Sequence, residues 1–172
     1  KKERQWIRWA TETIPSLLRP HLKLLCESES LRNVQRPSKQ PCTCGQKDAR
    51  TLQIVCVFFE RLENIQIGAC QCSPAALQLL SRGLFPCAPQ APTLAVNINL
   101  LQFAQELFLR LPPNTTSFCA TLEAFLGYRK YKLTTRDSLR RRFGNALLWY
   151  LNLVNATNRL VQDHIEAARV TV

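Results

Sequence analysis

The chain has 172 residues, nearly half of them apolar, and a formal net charge of +11. That is length enough for one domain with a real core, and too much apolar content for wholesale disorder. No apolar run reaches the length of a membrane span, and the charge points to an acidic partner such as nucleic acid or an anionic surface.

The N-terminus, KKERQWIRWA, lacks the apolar stretch of a signal peptide. There is no methionine, not even at position 1. We therefore expect a processed chain or a piece of a longer protein. From about Lys2 to Glu29 the pattern is helical. Ile7, Ala10, Ile14, Leu18, His21 and Leu25 recur three and four apart, which predicts one buried stripe. Pro15 predicts a kink, or a division into two shorter helices. Residues 33–41 (NVQRPSKQP) read as a connection.

Arg50–Glu60 and Leu62–Ala69 read as two antiparallel strands, with the polar ERLEN between them as the turn. Ser73-Pro74 predicts an N-cap followed by proline at the first helical position. The helix AALQLLSR follows, and Gly83 is placed to end it. Residues 84–93 hold three prolines and read as a rigid loop. Further helices are predicted over Val96–Leu111 and Thr116–Tyr128. Thr134–Asp137 reads as a capping box opening a long last helix. There Leu139, Phe143, Ala146, Tyr150, Leu153, Thr157 and Leu160 alternate steps of four and three.

The cysteines are unevenly spread. Cys42, Cys44, Cys70 and Cys72 form two Cys-x-Cys pairs, while Cys26, Cys56, Cys87 and Cys119 stand alone. Pairing the two strands brings both Cys-x-Cys elements to the open end of the hairpin. Residues i and i+2 of an extended chain point the same way, so both sulfurs of a pair can reach one metal. Four thiolates match a tetrahedral structural zinc with no open position. The competing readings are four buried thiols and two disulfides. Bridging within one Cys-x-Cys is geometrically poor, whereas cross-bridging between the pairs suits an oxidising compartment. Cys56 shares a strand face with Leu52, Ile54 and Phe58 and reads as a small buried hydrophobe. Cys26 and Cys119, in helical patterns, read the same way. Cys87 follows Phe85-Pro86 in the proline-rich stretch and stays open between burial and ligation.

Beyond composition, the stretches PCTCG, CQCSPAALQLLSRGLFP and RDSLRRRFGNAL, with the opening QWIRWATETIPSLL, resemble the cysteine-cluster region that accompanies Kyakuja–Dileera–Zisupton (KDZ) transposases, a group abundant in fungi. The resemblance runs over nearly the whole chain. It implies a zinc-chelating module N-terminal to a nuclease domain, with Cys42, Cys44, Cys70 and Cys72 as ligands. It also implies a nuclear site of action. Nothing here reads as catalytic. Transposase chemistry of this kind uses clustered carboxylates holding two metal ions, and the twelve acidic residues are scattered. His21 and His164 are single and distant in sequence, and read as helix-face histidines. The five separated glycines make no phosphate-cradling loop.

Residues 129–142 (RKYKLTTRDSLRRR) hold seven Lys or Arg and one Asp, +6 of the +11 total. Arg129, Lys130, Lys132, Arg136, Arg140, Arg141 and Arg142 are the candidate nucleic-acid contacts. Several open a helix, where backbone N–H groups and arginine forks suit a phosphate. Tyr128 and Tyr131 could stack on a base. The plainer reading is a solvated basic face, or arginines paired with acidic groups of the parent's catalytic domain. A smaller basic end lies at Lys1, Lys2, Arg4 and Arg8.

The expected fold is α+β and mainly helical: a zinc-clamped antiparallel β-hairpin and a short helix packed on a bundle of α-helices. It divides into an N-terminal helical segment and linker (1–40), a Cys-x-Cys hairpin module (41–93) and a helical body (94–172) in one compact unit. The expected function is a non-catalytic accessory domain of a transposase. One structural zinc is the expected cofactor. DNA and the catalytic domain are the expected partners, and neither membrane nor small-molecule substrate is expected. Two alternatives compete. One is a secreted, helical, disulfide-bonded binding protein, which the sequons at Asn114 and Asn155 would suit. The other is a domesticated interaction domain without DNA contact.

Overall fold

The computed structural model of the chain describes residues 2–35, 49–134 and 138–170. It opens on α1 (Lys2–Arg8), a π-helical turn at Trp9–Thr13, and α2 (Ile14–Glu27). The expected kink at Pro15 takes the form of this wider turn. Proline has no N–H to donate, and its ring crowds the preceding turn. The ladder shifts to a π spacing one residue earlier, where the Ile14 N–H donates to Trp9 O. The shift turns the inward face. Trp9 and Ile14, five apart, are both buried, and the stripe continues through Leu17, His21 and Leu24. Ile7 and Ala10, expected on the stripe, are exposed, and Leu18 and Leu25 lie at its edge. Trp9 stacks on both Phe85 (ring centroids 5.6 Å apart) and Trp149 (5.4 Å), tying the first helix to the sheet and to the last helix.

The hairpin forms as expected. β1 (Arg50–Val57) and β2 (Leu62–Ala69) pair antiparallel, from Arg50 opposite Ala69 to Val57 opposite Leu62. α3 (Ala75–Leu80) follows. Pro74, rather than Ser73, occupies the N-cap position. Gly83, at φ 69°, closes the turn after α3, with its N–H on Leu80 O.

Two elements depart from expectation. Leu84–Pro86 is a strand, β3, and Leu94–Asn97 is a strand, β4, in place of the expected loop and first helical turn. β4 runs parallel to β1 and antiparallel to β3, giving one four-stranded sheet in the order β2-β1-β4-β3. β3 is an edge strand, so Pro86 deletes no necessary ladder bond. β4 is central and buried on both faces, so its LAV run shows no alternation. Asn97 makes the division from α4 (Ile98–Arg110): its side chain accepts the Leu100 N–H at 3.3 Å as an N-cap.

α5 (Thr115–Tyr128), capped by Asn114 through the Ser117 N–H at 2.9 Å, and α6 (Leu139–Val170) complete the chain. Leu139, Phe143, Ala146, Tyr150, Leu153 and Thr157 are buried along one face of α6, as their spacing predicts. The sheet separates two apolar clusters. Ile54, Cys56, Ile67, Leu84 and Ala95 pack with Ala75 and Leu79 of α3. Val57, Phe85, Leu94 and Val96 face the helices, joining Leu17, Leu101, Leu126, Phe143 and Tyr150. The fold is mixed α+β and mainly helical, with the hairpin built into the sheet rather than appended to it. Among the described residues, no helix is long and apolar enough to cross a membrane.

Candidate functional site

β2 leaves the sheet at Ala69 and runs directly into Cys70-Gln71-Cys72-Ser73 before α3 begins. Ala69 lies opposite Arg50, so this segment sits at the open end of the hairpin, beside the start of β1. A tight turn shapes it, with the Cys70 N–H donating to Ser73 O at 3.2 Å. From α3, the Gln78 side-chain amide donates to Gly68 O at 2.7 Å and to Ser73 O at 2.9 Å. The Cys70 and Cys72 sulfurs are 3.6 Å apart. Two sulfurs of a tetrahedral zinc site, with bonds near 2.3 Å, lie about 3.8 Å from each other. The pair therefore has the spacing of two ligands on one metal.

Cys42 and Cys44 lie outside the described residues. Cys44 precedes Arg50 closely enough that an extended chain spans roughly 20 Å at most between them. Among the described residues, no group of three or more His, Cys, Asp or Glu is gathered as for a metal ion.

The other cysteines are placed differently. Cys56 is fully buried. Burial, with a smaller push from the Glu63 charge, raises its thiol to about 12. Cys119 is buried in the helical cluster, and burial raises its thiol to about 12 as well. Thiols so reluctant to ionise are poor metal ligands, and both serve as small apolar groups. Cys87 is half-buried at the edge of the helical cluster. Burial pushes its thiol up, partly opposed by the Arg142 charge. Cys26 corrects the expectation of burial. It is exposed, because the buried stripe near the end of α2 falls on Leu24 and Ser28.

Among the described residues, neither histidine is grouped with cysteines as for a metal. Thr157 spends its hydroxyl hydrogen on Leu153 O at 2.8 Å. The His21 Nδ1–H therefore donates to Thr157 Oγ1, at 3.1 Å. Nε2 is buried with no hydrogen-bond partner among the described residues, and burial lowers the His21 pKa. His164 is exposed, with Nδ1 2.7 Å from Leu160 O on its own helix.

The structure divides the basic segment. Arg129, Lys130, Lys132, Arg140 and Arg141 are exposed. The Arg129 guanidinium lies 3.8 Å from the Phe125 ring centre, and Arg140 Nη1 donates to Thr116 Oγ1 at 3.3 Å. Arg142 is half-buried and close enough to Cys87 for its charge to bear on that thiol. Its partial burial sets it apart from the five exposed basic residues. Arg136, with most of the capping box, lies outside the described residues. Tyr128 is 87% exposed and Tyr131 is 38% exposed. Sequence reasoning missed Gln78, whose position in α3 looks like any polar helical residue until the two carbonyls it joins are seen.

A family model described as CxC1 like cysteine cluster associated with KDZ transposases matches residues 28–130, more than half of the chain. The chain belongs to this family. The CxC1 match takes in all four paired cysteines, the sheet and α3 to α5. It leaves α1, α2 and α6 outside, so the resemblance expected over nearly the whole chain holds for this central part. The CxC1 unit is an accessory domain by its description, associated with transposases rather than describing a catalytic unit. Comparisons with curated proteins and with solved structures each gave no match.

Proposed function

We propose that this CxC1 domain is a zinc-clamped accessory module of a transposase, with Cys42, Cys44, Cys70 and Cys72 as the four ligands of one structural zinc. The observation that carries the reading is the 3.6 Å separation of the Cys70 and Cys72 sulfurs at the open end of the hairpin. Their chemistry fits as well: cysteine sulfur is a preferred ligand of zinc. The zinc supplies a cross-link between the strand-end turn and the segment before β1. It has no role as a Lewis acid, because a four-thiolate shell leaves no open position.

The clamped sheet supports the helices that carry the basic segment. Through Arg129, Lys130, Lys132, Arg140 and Arg141 the module contacts DNA phosphates, in the nucleus where its parent acts. The exposure of these five side chains supports this reading over one in which they brace the fold. The same surface suits docking to the parent's catalytic domain, and salt dependence separates the two.

The direct test is a metal titration of the whole purified chain against a chromophoric zinc chelator. One equivalent of zinc should bind, and Cys70→Ser with Cys72→Ser should abolish it. Stoichiometric zinc retained by that double variant would remove these residues from the site.

A further inference from the structure

We infer that Gln78 is the positioning residue of the metal knuckle, holding Cys70 and Cys72 at ligand spacing before metal arrives. The inference rests on the zinc reading above. A primary amide has two N–H hydrogens, and both are engaged at Gln78: one on Gly68 O at 2.7 Å, the other on Ser73 O at 2.9 Å. The acceptors lie two residues before Cys70 and one after Cys72, so a single planar group spans the Cys-x-Cys element from end to end. The amide orientation is unambiguous. The reverse placement would set the amide oxygen against two carbonyl oxygens.

The clip has a firm base. Ala75 and Leu79, on either side of Gln78 in α3, are buried against the sheet face that carries Cys56. The Gln78 N–H itself donates to Pro74 O at 3.2 Å. Two cysteines can serve one metal only while the turn keeps their sulfurs at this spacing. Without the clip, the turn loses two of the bonds that hold it, opens more readily, and metal binding must then reorder it. With the clip, the turn is ordered in advance. Groups that orient metal ligands in this way typically change affinity by roughly 10- to 100-fold when removed.

The test uses the whole chain with zinc and with cobalt(II) as probes. Gln78→Met keeps the length and apolar stem but removes both donors. Gln78→Glu keeps the shape and places carboxylate oxygens against the two carbonyls. Both variants should bind zinc roughly 10- to 100-fold more weakly and show a weaker or shifted thiolate-to-cobalt charge-transfer band. A merely structural role would lower metal-free thermal stability while leaving zinc affinity and the cobalt spectrum unchanged. That outcome overturns the inference. If Gln78→Met fails to fold, Gln78→Glu decides alone. If the unaltered chain binds no zinc, the zinc reading falls and the inference with it. Zinc bound by the unaltered chain, with equal affinity in both variants, rejects Gln78 only.

Discussion

At the scale of single residues, burial sets the six described cysteines apart. Cys72 is exposed at a strand end, 3.6 Å from its neighbour's sulfur, while Cys56 is sealed beneath α3. Cys72→Ser should therefore release zinc and lower the melting temperature only when metal is present. Cys56→Ser should leave zinc in place and cost about 1–3 kcal/mol, because it buries a hydroxyl in an apolar cluster. Melts with and without chelator distinguish the two, and zinc loss from Cys56→Ser would contradict the assignment. His21 gives a pH signature. Burial lowers its pKa in the fold, so the unfolded chain takes up the proton first. Its contribution to stability is complete above the unfolded value of about 6.5. It falls as pH drops through that value towards the lower folded one. In chelated protein, His21→Gln should show a shallower loss of stability between about pH 7 and 5 than the unaltered chain. Parallel profiles would show that His21 is not the group responsible.

At the scale of elements, strong periodicity is legible in the sequence and tertiary override is not. The hairpin can be read because apolar residues alternate through Leu52, Ile54, Cys56 and Phe58, with polar turn residues between the strands. α6 can be read because its inward residues keep step over many turns. β4 cannot, because a parallel strand buried on both faces has no period of two, and Val96 reads as the start of a helix until Asn97 is seen as a cap. β3 is hidden by Pro86, which only an edge strand tolerates. The π-turn rotates the first stripe, which brings Trp9 and Leu17 into the core against expectation and leaves Cys26 outside it. Of the site, sequence spacing shows the cysteine pairs, but the carbonyls joined by Gln78 become neighbours only once α3 folds back on β2. One glycine does end its helix as its position implies, and it can be tested. Gly83 sits at φ 69° with the Val34 methyls 3.3 Å from where a Cβ would stand. Gly83→Ala should lower stability by about 1–2 kcal/mol, measured by denaturant unfolding. An unchanged midpoint would mean the turn after α3 can adopt another conformation.

At the scale of the whole molecule, a net charge of +11 is carried on a fold that braces only part of it. Replacing Arg129, Lys130, Lys132, Arg140 and Arg141 by Gln should weaken DNA binding alike for all sequences. It should also flatten the log–log salt dependence by about 0.9 for each phosphate no longer neutralised. Unchanged affinity and slope in the folded variant would instead assign this surface to docking. Arg142→Gln should leave the slope nearly unchanged and lower stability, because that side chain is half-buried. The proposed zinc clamp would join the strand-end turn to the segment before β1. X-ray absorption at the zinc edge tests it most directly, on the whole chain loaded with one equivalent of metal. The account predicts a single shell of four sulfurs at about 2.3 Å, lost when Cys70 and Cys72 are serine. A shell dominated by oxygen or nitrogen, or one unchanged by those substitutions, would contradict it.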